Sequence, residues 1–251
     1  MVKLVFVLLF ISVADAKYPD WLQYSVKVIA EFDTTNQSIQ QYNEGYGLII
    51  NDSLVLTSAS IVYDSKKAKE ITLYYTETLG EPIACLSHAR VLAVDDNLDL
   101  AVLEAERFTD FYCNILPEPN FRELSFKENN FDILFPPLDF SLDEGLEISY
   151  FSEHDWSQFL REKIMLKDLL TLPQESKKSL RGIPLFVETE FLGLKVKEIK
   201  DSSSESLRVG ILTHREILDF LCQLERETSI FKERKDINGF CNIPLDLQIL
   251  P

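Results

Sequence analysis

Gly45-Tyr46-Gly47-Leu48-Ile49-Ile50, then Asn51-Asp52, then Ser53-Leu54-Val55-Leu56: two short apolar runs are separated by a pair of turn formers. Asn and Asp favour turns because their side chains bond the local backbone and they tolerate left-handed dihedrals. The stretch therefore reads as two strands folded back on one another. The same signature repeats outward in both directions. Upstream, Ser25-Val26-Lys27-Val28-Ile29-Ala30-Glu31-Phe32 largely alternates apolar and polar residues at period two, the pattern of a half-buried strand. Downstream, Ile71–Tyr75, Arg90–Val94 and the apolar run Leu100–Leu103 add three more, with Leu79-Gly80-Glu81-Pro82 as a further turn signal. Several short strands with regular turns predict a sandwich or a barrel.

The remaining segments extend this picture. Arg107–Asn130 is less regular and is expected to connect to a second unit. Phe131–Phe151 holds Pro136-Pro137 and further strand-like pieces, Pro184–Lys197 reads as paired strands around Gly193, and Asp201–Glu205 is a polar loop. The period then changes. Ile217, Leu218, Leu221 and Leu224 fall at helical spacing, and Thr213 with Glu216 three residues later fits a capping box. A helix is predicted over about 214–229.

Bulk properties exclude several function classes. The chain has 251 residues, 46% hydrophobic content and a formal net charge of −16. That content is ordinary for a globular chain and too high for wholesale disorder. The acidic excess repels phosphate backbones, so nucleic acid is not an expected partner. At the start, Met1-Val2-Lys3 precedes an apolar run, Leu4–Val13, and Ala14-Asp15-Ala16 provides a small-x-small cleavage pattern. Residues 1–16 are read as a signal peptide and 17–251 as the exported domain, periplasmic or secreted. No stable membrane anchor is expected after cleavage, because the run is about half of what a spanning helix needs.

The four cysteines, Cys85, Cys113, Cys222 and Cys241, show no C-x-x-C spacing, so a zinc site has little support. An even count in an exported chain predicts two disulfides. Three pairings are open; closeness in sequence favours Cys85–Cys113 and Cys222–Cys241. No cofactor and no metal are expected. Glu153, His154 and Asp155 are consecutive, and neighbours in a row seldom converge on one ion. His88 and His214 read as surface residues.

Three segments, in order, carry a family resemblance. Gly45–Ile50 followed by Val55-Leu56-Thr57-Ser58-Ala59-Ser60 resembles the G-x-G-x-x-I…V-L-T-A-A-H segment of trypsin-like serine peptidases. Ala89–Asp95 followed by Leu98-Asp99-Leu100-Ala101-Val102-Leu103 resembles the segment around the triad aspartate, particularly in bacterial proteases of the HtrA type. Gly182-Ile183-Pro184-Leu185-Phe186 is similar to the G-x-S-G-G-P-L segment and the strand pair after it. The resemblance covers about 24–224. It implies an all-β fold of two six-stranded antiparallel β-barrels, the first over about 24–113 and the second over about 131–212, closed by the C-terminal α-helix and a tail. The residues after that helix are too few for the PDZ domain of HtrA proteases, so none is expected.

The same alignment implies a degenerate triad. The family mechanism needs a hydroxyl nucleophile, an imidazole base and an acid that orients the imidazole. The acid position is Asp99. The imidazole position is Ser60, whose hydroxyl cannot accept a proton near neutral pH. The nucleophile position is Arg181, whose guanidinium offers donors alone. Ser179 stands where the family has an oxyanion-hole glycine. The expected activity is therefore none: a pseudoprotease that binds a protein or an extended peptide. Asp99 would bond Ser60, backbone donors or Arg181. Lys177, Lys178 and Arg181 are the candidate binding residues, as a basic wall for a segment carrying carboxylates. An active serine endopeptidase with atypical residues and a structural surface or periplasmic protein are the alternatives.

Overall fold

Alternation in the first strand segment puts one face into a core. In β1 (Ser25–Phe32), Val26, Val28, Ala30 and Phe32 are buried together, while Lys27 and Glu31 lie on the opposite face. The computed structural model describes residues 24–33, 41–51, 54–75, 85–106, 145–152, 159–165, 181–188, 190–197, 199–200, 207–208, 210–227 and 240–242. After β1 come β2 (Gln41–Asn51), β3 (Leu54–Ser58), the single-turn helix α1 (Ala59–Val62), and a two-residue ribbon, β4 (Tyr63–Asp64) with β5 (Lys66–Lys67). Then follow β6 (Glu70–Tyr75), β7 (Cys85–Asp95) and β8 (Leu100–Ala105).

These strands form a closed barrel in the order β1-β2-β3-β8-β7-β6, and β6 pairs back onto β1 through Val28↔Leu73 and its neighbours. All pairings are antiparallel. Closure removes the exposed strand edges that an open sheet would leave. The first barrel is thus as expected, with its last strand ending at Ala105.

β2, β3 and β8 are apolar on both faces for a reason. Ile49, Val55, Ala101 and Leu103 point into the barrel with the β1 side chains. Tyr46, Leu48, Ile50, Leu54, Leu56, Leu100 and Val102 point outward and join a second cluster with Phe151, Phe186, Phe191, Leu194, Leu212 and the C-terminal helix. The outer face of the barrel is therefore the floor on which the described second sheet and the C-terminal helix pack.

The second unit corrects the expected six-stranded barrel. Among the described residues it is a five-stranded antiparallel sheet that does not close, in the order β10-β9-β11-β12-β15. Its strands are β9 (Gly145–Phe151), β10 (Phe159–Met165), β11 (Ile183–Val187), β12 (Glu190–Lys195) and β15 (Ile211–Thr213). A separate ribbon pairs β13 (Ile199–Lys200) with β14 (Leu207–Arg208). Paired strands do form over Ile183–Lys195, but the reversal lies at Glu188, which has a φ of 54°, and not at Gly193. Gly193 sits within β12, where a Cβ would come 2.3 Å from the Leu212 carbonyl oxygen. The residue is small because β15 packs against it.

The helix α2 (His214–Glu227) begins at the predicted capping box. Thr213 N–H and Thr213 Oγ1 both donate to Glu216 Oε2, each at 2.9 Å, and Glu216 N–H donates to Thr213 Oγ1 at 3.4 Å. Its apolar stripe, Ile217, Leu218, Phe220 and Leu221, joins the inter-unit cluster. His214, expected at the surface, is 4% exposed, because the first turn faces the core. Cys222 and Cys241 form a disulfide that ties a 3₁₀ turn (Phe240–Asn242) to α2. No described helix is long and apolar enough to cross a membrane.

Candidate functional site

The β3–β8 register builds the site. Ser58 pairs with Leu100, so the residue before β8, Asp99, comes level with the start of α1. The turn from β7 into β8 is an Asx turn: Asp95 Oδ1 accepts from Asn97 N–H at 2.8 Å and from Leu98 N–H at 3.0 Å. Asp99 completes the reversal with a φ of 51°, a left-handed conformation that Asp adopts more readily than most residues. Its carbonyl oxygen accepts from Ala59 N–H at 2.9 Å.

The Asp99 carboxylate is 6% exposed as a residue and is fully engaged. Oδ1 accepts from Ser60 N–H at 2.7 Å. Oδ2 accepts from the Ser58 hydroxyl, from Lys197 N–H at 2.5 Å and from Ser60 Oγ at 3.3 Å. The Ser58 and Ser60 hydroxyls are 2.9 Å apart. Ser60 is fixed at its other end by Asn43 Nδ2, which donates to the Ser60 carbonyl at 3.1 Å. Two of the positions singled out from sequence, Ser60 and Asp99, are therefore in direct contact. Ser58 and Lys197 were missed. Ser58 was legible in principle, as a hydroxyl two residues before Ser60; Lys197 was not, since a backbone amide 98 residues away has no sequence signal.

Arg181 is placed by its backbone. It forms a parallel bridge to Gly45, and its carbonyl accepts from Tyr46 N–H at 2.8 Å. The next residue, Gly182, has a φ of 70° and would carry a Cβ 2.1 Å from the Tyr46 carbonyl oxygen. Only glycine fits that approach without displacement. Gly182 N–H also donates to the Lys195 carbonyl at 2.6 Å. Burial pushes the Lys195 amine below the usual lysine range. No ion pair joins Arg181 to Asp99 among the described residues, because serine hydroxyls and backbone amides already occupy the carboxylate.

Lys177, Lys178, Ser179, His154, Cys113 and residues 1–16 lie outside the described residues, as does the side chain of Cys85. His88 is at the surface, as expected, exposed on β7 with Nδ1 3.5 Å from Glu70 Oε1. Among the described residues no group of three or more His, Cys, Asp or Glu could hold a metal. A groove of about 460 Å³ runs along α2 beside the disulfide, and none of Ser60, Asp99 and Arg181 lines it.

Chemically, the arrangement holds a carboxylate and two hydroxyls in a hydrogen-bonded set, with no imidazole within it among the described residues. No protein-family model matches the chain, and no curated protein matches it in sequence. Among solved structures it is similar to the Rv3671c protease from M. tuberculosis in its active form, at 17% identity and a TM-score of 0.47, covering 80% of this chain and 81% of that one. It is also similar to Rv3671c from M. tuberculosis H37Rv in the inactive form of a serine-to-alanine mutant, at 16% identity and a TM-score of 0.49, covering 83% and 90%.

Proposed function

We propose that this chain is an exported homologue of trypsin-like serine peptidases that has no peptidase activity and acts by binding a protein or an extended peptide. One observation carries the reading. The carboxylate at the triad-acid position is satisfied by Ser58, Ser60 and the Lys197 amide. A general base must hold a lone pair that takes a proton near neutral pH, and a serine hydroxyl offers none. At the nucleophile position a guanidinium cannot attack a carbonyl. The Cys222–Cys241 disulfide supports an oxidising, exported location.

Binding survives such losses in principle, because extended peptides are held mainly by backbone hydrogen bonds along strand edges. Arg181, with Lys177 and Lys178 nearby in sequence, is the proposed basic wall for a segment carrying carboxylates. The test is a fluorophosphonate label together with casein hydrolysis. Neither labelling nor hydrolysis is expected, and the Ser60→His/Arg181→Ser double variant is expected to restore little, with serine at position 179. Labelling of the unmodified protein would establish an activated serine and end this reading.

A further inference from the structure

The turn from β2 into β3 carries a modification signal that peptide binding does not use. Asn51-Asp52-Ser53 has the order Asn-x-Ser/Thr, with a middle residue other than proline, that an oligosaccharyltransferase accepts. Of the ten asparagines in the chain, Asn36, followed by Gln37-Ser38, alone shares it. Asn36 lies outside the described residues. So short a motif arises often by chance, and its place in the fold decides whether it can serve.

That place suits an acceptor. β2 ends at Asn51, β3 begins at Leu54, and these two residues are partners in the ladder. The connection between them is therefore two residues long and reverses the chain at the barrel rim. A register shift between Ile49 and Asn51 falls at the same point, as bulges at barrel rims do. Apolar burial reaches up to the turn on both strands and stops there. Ile49 and Val55 fill the barrel, and Ile50 and Leu54 fill the inter-unit cluster. The three residues between Ile50 and Leu54 are all polar or charged. Connections of this kind run over the surface, because a buried one would leave its backbone polar groups without partners.

We propose that Asn51 is an N-glycosylation site. The inference rests on the exported reading, since the transferase and its sugar donor belong to the export pathway. In the transfer, the Asn51 amide nitrogen forms a bond to the anomeric carbon of a lipid-pyrophosphate-linked oligosaccharide. The bond from that carbon to the pyrophosphate oxygen breaks, the lipid pyrophosphate leaves with the electron pair, and the nitrogen gives up one proton. No oxidant or reductant takes part. Ser53 supplies the hydroxyl that the transferase reads two residues after the acceptor. The glycan stands at the end of β3 away from the candidate site: from Leu54 to Ser58, which bonds the Asp99 carboxylate, the strand runs about 13 Å at the ordinary rise.

The test expresses the full chain in cultured mammalian cells and compares protein from the medium and from the lysed cells before and after digestion with peptide-N-glycosidase. Asn36→Gln is the common background, so that a glycan at that position is not counted. A discrete loss of mass on digestion is expected, with the acceptor converted to aspartate in the peptide spanning positions 51–53. Asn51→Gln and Ser53→Ala are each expected to abolish the loss, and Ser53→Thr to keep it, because threonine retains the hydroxyl. Peptide mapping of the chain with Asn51 and Ser53 intact gives the same reading if either variant misfolds. Secreted protein with an unmodified Asn51, or a mass loss that persists in Ser53→Ala, would overturn the site and leave the exported reading standing. Protein held in the cytosol with residues 1–16 uncleaved would overturn the exported reading and this site with it.

Discussion

Asp99 keeps its carboxylate buried by surrounding it with donors, and that has measurable consequences residue by residue. The Ser58 hydroxyl is buried and donates to Oδ2. Removing one donor from a buried acceptor costs about 1–3 kcal/mol, so Ser58→Ala is expected to lower the unfolding free energy by that much, read as a lower urea midpoint. Asp99→Ala should cost more, since it strands the Ser60 and Lys197 amides together. Ser60→Ala should cost least, because its hydroxyl contact is 3.3 Å long. An unchanged midpoint for Ser58→Ala would show that the carboxylate finds its donors elsewhere. Gly182 is equally demanding: its φ of 70° and the 2.1 Å approach to the Tyr46 carbonyl leave no room for a side chain.

At the scale of elements, α2 depends on two local devices. The capping box at Thr213 and Glu216 satisfies donors at the helix start. Thr213→Ala is expected to cost about 1 kcal/mol of stability, read as a fall in thermal midpoint. The second device is the disulfide, which spans a sequence separation of 19. Closing a loop of that size restricts the unfolded chain by about 3 kcal/mol in the entropy model. Cys222→Ser/Cys241→Ser is therefore expected to lower stability by up to that amount, with the barrel strands left intact by circular dichroism. No change in unfolding free energy would mean that Phe240, 2% exposed, anchors the turn by packing alone.

Over the whole molecule, the two units are joined by one apolar cluster and a few polar pins. Tyr46 stacks on Phe151 with centroids 4.8 Å apart, and its hydroxyl donates to the Ser152 carbonyl at 3.3 Å. Truncating a fully buried aromatic typically costs about 3–5 kcal/mol, so Tyr46→Ala is expected to destabilise both units together in a single transition. Separate transitions would show that they fold independently. The pH response follows from Tyr150. Its pKa is raised in the folded state, chiefly by burial, so the unfolded chain releases its proton first as pH rises. Stability is expected to hold at neutral pH and to fall above about pH 10, the ordinary tyrosine range. Tyr150→Phe should blunt that fall in pH-dependent denaturation.

The features legible from residue order alone are local. Period-two alternation located β1, the Asn51-Asp52 turn placed β2 against β3, and the Thr213–Glu216 spacing marked the start of α2, because each is written in neighbours along the chain. Ser60 beside Asp99 was legible through the resemblance of two segments. The remaining features follow from contacts between segments distant in the chain. That the second sheet stays open among the described residues, and that the Glu188 turn, not Gly193, reverses its hairpin, depends on which strands meet. His214 is buried because α2 docks on its first turn, which its polar character does not announce. Asp99 turns to Ser58, Ser60 and the Lys197 amide and leaves Arg181 aside, because register and a close glycine approach bring those donors within reach. Hydrogen bonds act over about 3 Å, and only the folded chain fixes which groups lie that close.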